Sequence, residues 1–193
     1  MTERAALMPQ SNLISVAADH GAALAAIGEV LTRLKLDHAF VGGVAAASWL
    51  GETLEAGSID VLAVLSSEQK NQVAMMASNR GFRVDKSELE ATEELDLIPL
   101  YFTAAMGEIR VHVLVASNAL YGQMVKRALT ASVAGRGLKV IRPEDFALLL
   151  TVAGDVASIG KRERLINERR DFDLQAFNDQ LVSVGLASMK VTR

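Results

Sequence analysis

Cysteine is absent from this 193-residue chain. That removes disulfides and thiolate metal sites from consideration and fits a cytosolic protein. Neither sign of charge dominates: 20 basic against 23 acidic side chains leave a net charge of −3, so no global field draws the chain to nucleic acid or an acidic membrane. Long uncharged apolar runs are missing, and no membrane span is expected. Near the N-terminus, Glu3 and Arg4 precede a short apolar stretch that stops at Pro9, so no signal peptide is expected either. Internal repeats and low-complexity tracts are lacking. Together these absences read as a cytoplasmic protein with no membrane partner. What the chain does have is apolar material, half of its residues, enough for one domain with a core of its own.

Hydrophobic spacing divides the chain into short elements. Ile14, Ala17, Leu24, Ile27, Leu31 and Leu34 recur at helical steps and predict an amphipathic helix over 13–36, after a loose arm at 1–12. Short strands are expected at 38–41, 59–65 and 82–84. Ser66 stands three residues before Gln69, a capping-box spacing for a helix that Gly81 closes. The acidic run 86–96 reads as a solvated loop or ragged helix. Residues 98–104 and 109–116 predict an antiparallel hairpin through Met106-Gly107. A helix over 118–129 and a strand over 138–141 follow. Pro143 suits the first turn of a buried helix whose dipole Glu144 and Asp145 complement. The remainder reads as one or two helices with charged faces.

The chemistry-bearing residues lie early. Val41-Gly42-Gly43 ends an apolar strand and opens a helix, which points backbone N–H groups at any anion placed there. Ser58-Ile59-Asp60-Val61-Leu62 then carries an acidic residue to the same end. Either feature also has a purely structural use: the glycines permit close strand-to-helix packing, and Asp60 caps or pairs at a strand end. His112, on the alternating strand with Val111, Val113 and Val115, reads as an ordinary hydrogen-bonded histidine. His20 and His38 are too far away in sequence to form a metal-ligand spacing with it. Gly154 to Lys161 fails as a phosphate-binding loop, because Arg162 stands where Ser or Thr is required. Residues 161–170 hold five basic and two acidic side chains, without the interleaved aromatics that single-strand stacking uses.

The order of these motifs resembles the nucleotidyltransferase superfamily, in particular its minimal members. Gly42 and Gly43 match the family's Gly-Gly turn, and Asp60 matches the second Asp of its Asp-x-Asp strand. Gly81-Phe82 matches a helix-ending Gly-Phe. Gly107 to Leu114 matches the strand of the third Asp, and Arg142-Pro143-Glu144-Asp145-Phe146 matches a Pro-Glu-Asp helix opening. The departures fall on the chemistry. Ser58 replaces the first Asp, Ala56 the preceding Thr and His112 the third Asp, while Leu150 or a neighbour occupies the place of a Lys.

The resemblance implies an α+β fold, a mixed β-sheet flanked by helices with a helical C-terminal part. It divides the chain into an arm at 1–12, a core at 13–142 and a C-terminal part at 143–193. It implies Asp60 as the catalytic and metal-binding carboxylate with His112 as a second metal ligand. Gly42, Gly43 and Ser58 would bind the cofactor, an NTP with Mg²⁺ or Mn²⁺. Lys161, Arg162, Arg164, Arg169 and Arg170 would meet an RNA or protein acceptor. Three carboxylates hold two Mg²⁺ ions in such enzymes, and this chain keeps one. The expectation is therefore a nucleotide- or phosphate-binding or regulatory module with a degraded metal site. The alternatives are an active enzyme moving an NMP from an NTP to a small molecule, protein or RNA, and a non-catalytic subunit that uses Val44–Leu50 with Trp49 as its contact. All require Gly43, Ser58, Asp60 and His112 to line one cleft.

Overall fold

Seven strands form one mixed sheet in the order β3-β4-β5-β2-β1-β7-β6. The computed structural model describes residues 10–54, 57–105 and 107–189. The element order is α1 (Gln10–Arg33), β1 (His38–Phe40), α2 (Gly42–Leu50), β2 (Ile59–Ala63), α3 (Ser67–Ser78), β3 (Phe82–Arg83), α4 (Lys86–Ala91), β4 (Leu97–Ala104), β5 (Gly107–Val115), α5 (Ala119–Lys126), β6 (Leu129–Val133), β7 (Arg136–Val140), α6 (Pro143–Ala153), α7 (Val156–Glu168) and α8 (Leu174–Ser183). The α+β architecture, with its helical C-terminal part, is the expected one.

Local signals account for most boundaries. Ser66 accepts from the Gln69 amide while the Gln69 side chain accepts from the Ser66 amide, a complete capping box for α3. Gly51 ends α2 with φ +66, the left-handed conformation that glycine adopts without the steric cost an L-residue would bear. The acidic run resolves into α4, capped by Asp85, and a 3-10 turn at Glu93–Leu95. Two expectations need correction. Helix α1 runs Gln10–Arg33 where 13–36 was expected, so residues 10–12 of the expected arm are helical, and residues 1–9 lie outside the described residues. The helix expected over 118–129 ends at Lys126, and Leu129 instead begins strand β6 (Leu129–Val133), paired antiparallel with β7. Positive φ at both Ala134 and Gly135, +49 and +73, closes that hairpin tightly.

The alternation along β5 assigns the two faces of the sheet. Ile109, Val111, Val113 and Val115 are buried on the face that α1 packs against. Glu108, Arg110, His112 and Leu114 point the other way. Asp60 pairs with His112 across the parallel β2–β5 ladder, so the two share that second face. There α2 and α5 cover only part of the sheet, with α6 and α7 packed against α2. Among the described residues no helix is long and apolar enough to cross a membrane.

The Pro-Glu-Asp opening of α6 does more than complement a dipole. Asp145 is fully buried and pairs with Arg127, whose Nε donates to Oδ2 at 3.0 Å. Glu144 is also buried and accepts from the Asp173 amide at 2.9 Å. These two carboxylates fasten the segments before and after α6 to its first turn. Leu150, in the region of the family's Lys, is buried.

Candidate functional site

Strand β2 delivers Asp60 beside His112 on β5 because the two are register partners in a parallel ladder. Ser58 Oγ and His112 Nδ1 both lie 2.9 Å from Asp60 Oδ1. An ionised carboxylate only accepts, so the hydroxyl and the ring nitrogen both donate to it. That partner assigns the proton of His112 to Nδ1 and leaves Nε2 for another group. Asp60 and His112 side chains are 23% and 25% exposed, open enough to meet a ligand and sheltered enough to hold fixed positions.

The two glycines divide the work. Gly42 has φ +56, and a Cβ there would sit 2.7 Å from Asp60 Oδ2. Its bare backbone therefore closes one side of the carboxylate. A Cβ on Gly43 would meet nothing within 4 Å, so Gly43 borders open space. Val41, which precedes α2, offers no side-chain cap, and the first-turn N–H groups of α2 are left without a side-chain acceptor from it. Gly42, Ser58, Asp60 and His112 thus converge at one end of β1 and β2, with Gly43 beside them. Glu55 and Ala56, the latter standing where the family has Thr, lie outside the described residues.

Sequence reasoning missed a neighbouring polar group. Ser58, Tyr101, Glu108 and Arg110 line, with Gly57, a cavity of about 430 Å³. Tyr101 OH donates to Glu88 at 2.6 and 2.8 Å. That hydrogen bond, which is lost with the proton, raises the phenol's pKa, with burial and the negative charge of Glu88 adding to it. Arg83 forks onto Glu108 at 2.7 and 2.8 Å and holds that carboxyl below its usual range. Its guanidinium also lies 4.3 Å from the Tyr101 ring centroid. The signal was present in Glu108-x-Arg110-x-His112, three polar residues at period two on one strand face.

The basic stretch is mostly engaged within the chain. Lys161 and Arg164 both pair with Glu52, at 2.8 and 2.9 Å. Arg164 also donates to the Leu50 carbonyl, and Arg169 to that of Trp49, so these cations cap the C-terminal end of α2. Arg169 lies 5.0 Å from the centroid of the Trp49 ring, whose Nε1 donates to the Ile141 carbonyl at 2.8 Å. Arg169 further pairs with Asp171. The Arg162 Nε is buried without a hydrogen-bond partner, and Arg170 is exposed. Three of the five cations expected to face an acceptor, and Trp49 with them, therefore hold α2 against its neighbours.

No family model matches this sequence, and no curated protein does at a significant level. Solved structures do match. An antigenic nucleotidyltransferase-like protein from Paracoccidioides brasiliensis superposes with a TM-score of 0.50 at 13% identity, over 86% of this chain and 88% of that one. Two structures of the antibiotic-resistance factor ANT(2″)-Ia have TM-scores of 0.44. The complex with adenylyl-2″-tobramycin is 17% identical over 82% of this chain and 89% of that one. The solution structure is 15% identical over 92% and 97%. The strand order, the turn at Gly42 and the superposition on the first of these agree: the chain has a nucleotidyltransferase-like fold.

Proposed function

We propose that this protein is a nucleotide- or phosphate-binding module, regulatory in use, built on a nucleotidyltransferase fold whose metal site is degraded. The observation that carries the reading is the state of Asp60. Its Oδ1 already accepts from Ser58 and His112, and Oδ2 faces the Gly42 backbone. Two Mg²⁺ ions require several hard, anionic oxygens. This cleft offers one carboxylate, a neutral hydroxyl, and an imidazole suited to softer metals. Among the described residues no three acidic or histidine side chains gather as a metal-binding group. The residues do not fit a pair of Mg²⁺ ions.

Anion binding asks for less. The first-turn N–H groups of α2 and the guanidinium of Arg110, on the same sheet face as His112, suffice to receive a phosphate. Arg110 has no ion-pair partner among the described residues, so its charge is available. The expected outcome is stabilisation by ATP, GTP or CTP without added metal, by about 2.7 kcal/mol at a hundredfold excess over Kd. A melting midpoint unmoved by millimolar nucleotide, with or without Mg²⁺ or Mn²⁺, refutes nucleotide binding. Incubation with α-labelled NTPs should yield no transferred label. Label transfer that disappears in Asp60→Ala establishes an active enzyme in place of this module. Joint replacement Ser58→Asp and His112→Asp should create Mg²⁺-dependent stabilisation that the natural chain lacks.

A further inference from the structure

A second cavity, of about 540 Å³, lies under α1 at the start of β1. His38 and Phe40, which line it, point to the sheet face opposite Asp60, and His38 pairs with Ala63 at the far end of β2. Both the face and the strand end therefore separate it from the Asp60 cleft. Its floor is apolar, formed by Leu24, Ala25, Gly28, Leu36, Phe40 and Leu138. Nothing lies within 4 Å of where a Gly28 Cβ would sit, so the helix presents a flat, open strip there. Its rim is basic: Lys35, Arg136 and Lys139 surround the opening against one acid, Asp37.

Three cations without an ion pair gather at this one opening, whereas Arg110, Arg162 and Arg170 lie elsewhere in the chain. Arg33, Arg80, Arg83, Arg127, Arg142, Lys161, Arg164 and Arg169 each have a carboxylate within 4.0 Å. Lys35, Arg136 and Lys139 are exposed and have no ion pair or side-chain hydrogen bond among the described residues. On a chain of net charge −3, three unpaired cations around one opening are a local concentration of positive charge. Lys35 closes the turn after α1 with φ +54, a conformation more often given to glycine or asparagine. His38 adds a polar point inside, since its Nδ1 donates to the Leu36 carbonyl at 2.9 Å and Nε2 keeps a lone pair.

We propose that this cavity binds a small organic anion, an apolar or aromatic body resting on the α1 floor with a phosphate or carboxylate head held by Lys35, Arg136 and Lys139. A volume of 540 Å³ falls within the roughly 300–1,000 Å³ of small-molecule sites, and its lining mixes apolar residues with convergent charged groups, as an amphipathic ligand requires. His38 is the built-in reporter. Burial holds its pKa below 6.5, and Lys139 lowers it further, against the Leu36 carbonyl and Asp37, which raise it. An anion seated among Lys35, Arg136 and Lys139 screens the repulsion and raises the imidazole's pKa.

Phenyl phosphate, inorganic phosphate and phenol, titrated into the full chain and followed by the NMR signals of its 3 histidines, test the proposal. Phenyl phosphate should shift the His38 signals saturably and raise that imidazole's titration midpoint, with an affinity that Arg136→Ala or Lys139→Ala lowers and that is independent of any response at His112, which reports the Asp60 cleft. Inorganic phosphate should bind more weakly and phenol not at all. Arg136→Ala and Lys139→Ala each remove an exposed cation that makes no ion pair or side-chain hydrogen bond among the described residues, and each should weaken phenyl phosphate about tenfold. A carboxylate head in place of the phosphate, benzoate, separates the two possible head groups by relative affinity. Silence of His38 up to about 20 mM phenyl phosphate overturns the site. So does unchanged affinity in the doubly substituted chain, or a response at His112 in place of His38, which assigns the ligand to the Asp60 cleft. Equal binding of inorganic and phenyl phosphate overturns the role of the apolar floor. Because the reporters and variants differ from those of the Asp60 cleft, either site can fail without the other.

Discussion

Replacing Gly42 by alanine tests the geometry of the Asp60 cleft most directly. The left-handed φ of +56 costs an L-residue about 1–2 kcal/mol. The added Cβ would also lie 2.7 Å from Asp60 Oδ2, with further contacts at 3.5 and 3.6 Å to the same side chain. The carboxylate must swing away, which loosens the hydrogen bonds from Ser58 and His112, each worth about 1.5–3 kcal/mol when the acceptor is charged. Partial exposure of the group lets water replace part of that, so the combined loss is about 2–4 kcal/mol. For a chain of this size that lowers the melting midpoint by roughly 4–12 °C. Gly43→Ala is the internal control. Open space surrounds it, and the change removes helix-opposing backbone freedom, for a gain of up to about 1 kcal/mol. Urea unfolding followed by circular dichroism of both variants decides the matter. Equal stability of Gly42→Ala and the natural chain, or an equal loss in both variants, refutes the close approach of the Gly42 backbone to Asp60.

Two further perturbations probe the scaffold. Arg127→Met leaves Asp145 buried without its cation and should cost about 3–5 kcal/mol in urea unfolding. Adding Asp145→Leu should recover much of that loss, and strictly additive losses would show that the two groups do not act as a pair. His38 carries a pH dependence of known sign. Its folded pKa lies below 6.5, so as pH falls through that value the unfolded chain takes up a proton that the folded one refuses. The stability His38 contributes is complete above that pH and is lost below it, down to the folded pKa. Urea midpoints measured from about pH 8 to 5 should fall more steeply for the natural chain than for His38→Gln; parallel curves would show that the imidazole is not held neutral by burial.

The sequence announced those features whose cause is local. Ser66 with Gln69, and Gly51, mark helix ends because a cap is made by residues within a few positions of one another, whereas α3 already ends at Ser78, short of the expected Gly81. The strand ladder of Asp60 and His112 followed from motif order, since the fold that orders those strands also sets them in register. Strand β6 escaped because Leu-Thr-Ala-Ser-Val has weak alternation and lies directly behind a helix with no glycine to end it. Its strand conformation comes from β7, through a turn whose two residues adopt positive φ. The clasp of Arg127 on Asp145 joins residues from two helix ends, and nothing in either segment foretells the other. The same holds for Glu52, whose partners Lys161 and Arg164 lie more than a hundred residues later. A run of cations reads as a free surface until the fold brings an acid to it.

Helix α2 touches both halves of the molecule. Its first residue lies against the Asp60 carboxylate, and its last carbonyls are gripped by Arg164 and Arg169. Nine residues make a rod about 13 Å long, too short to bend appreciably. One short rigid rod thus carries, at its first residue, the backbone that closes the Asp60 carboxylate and, at its last carbonyls, the anchor for α7.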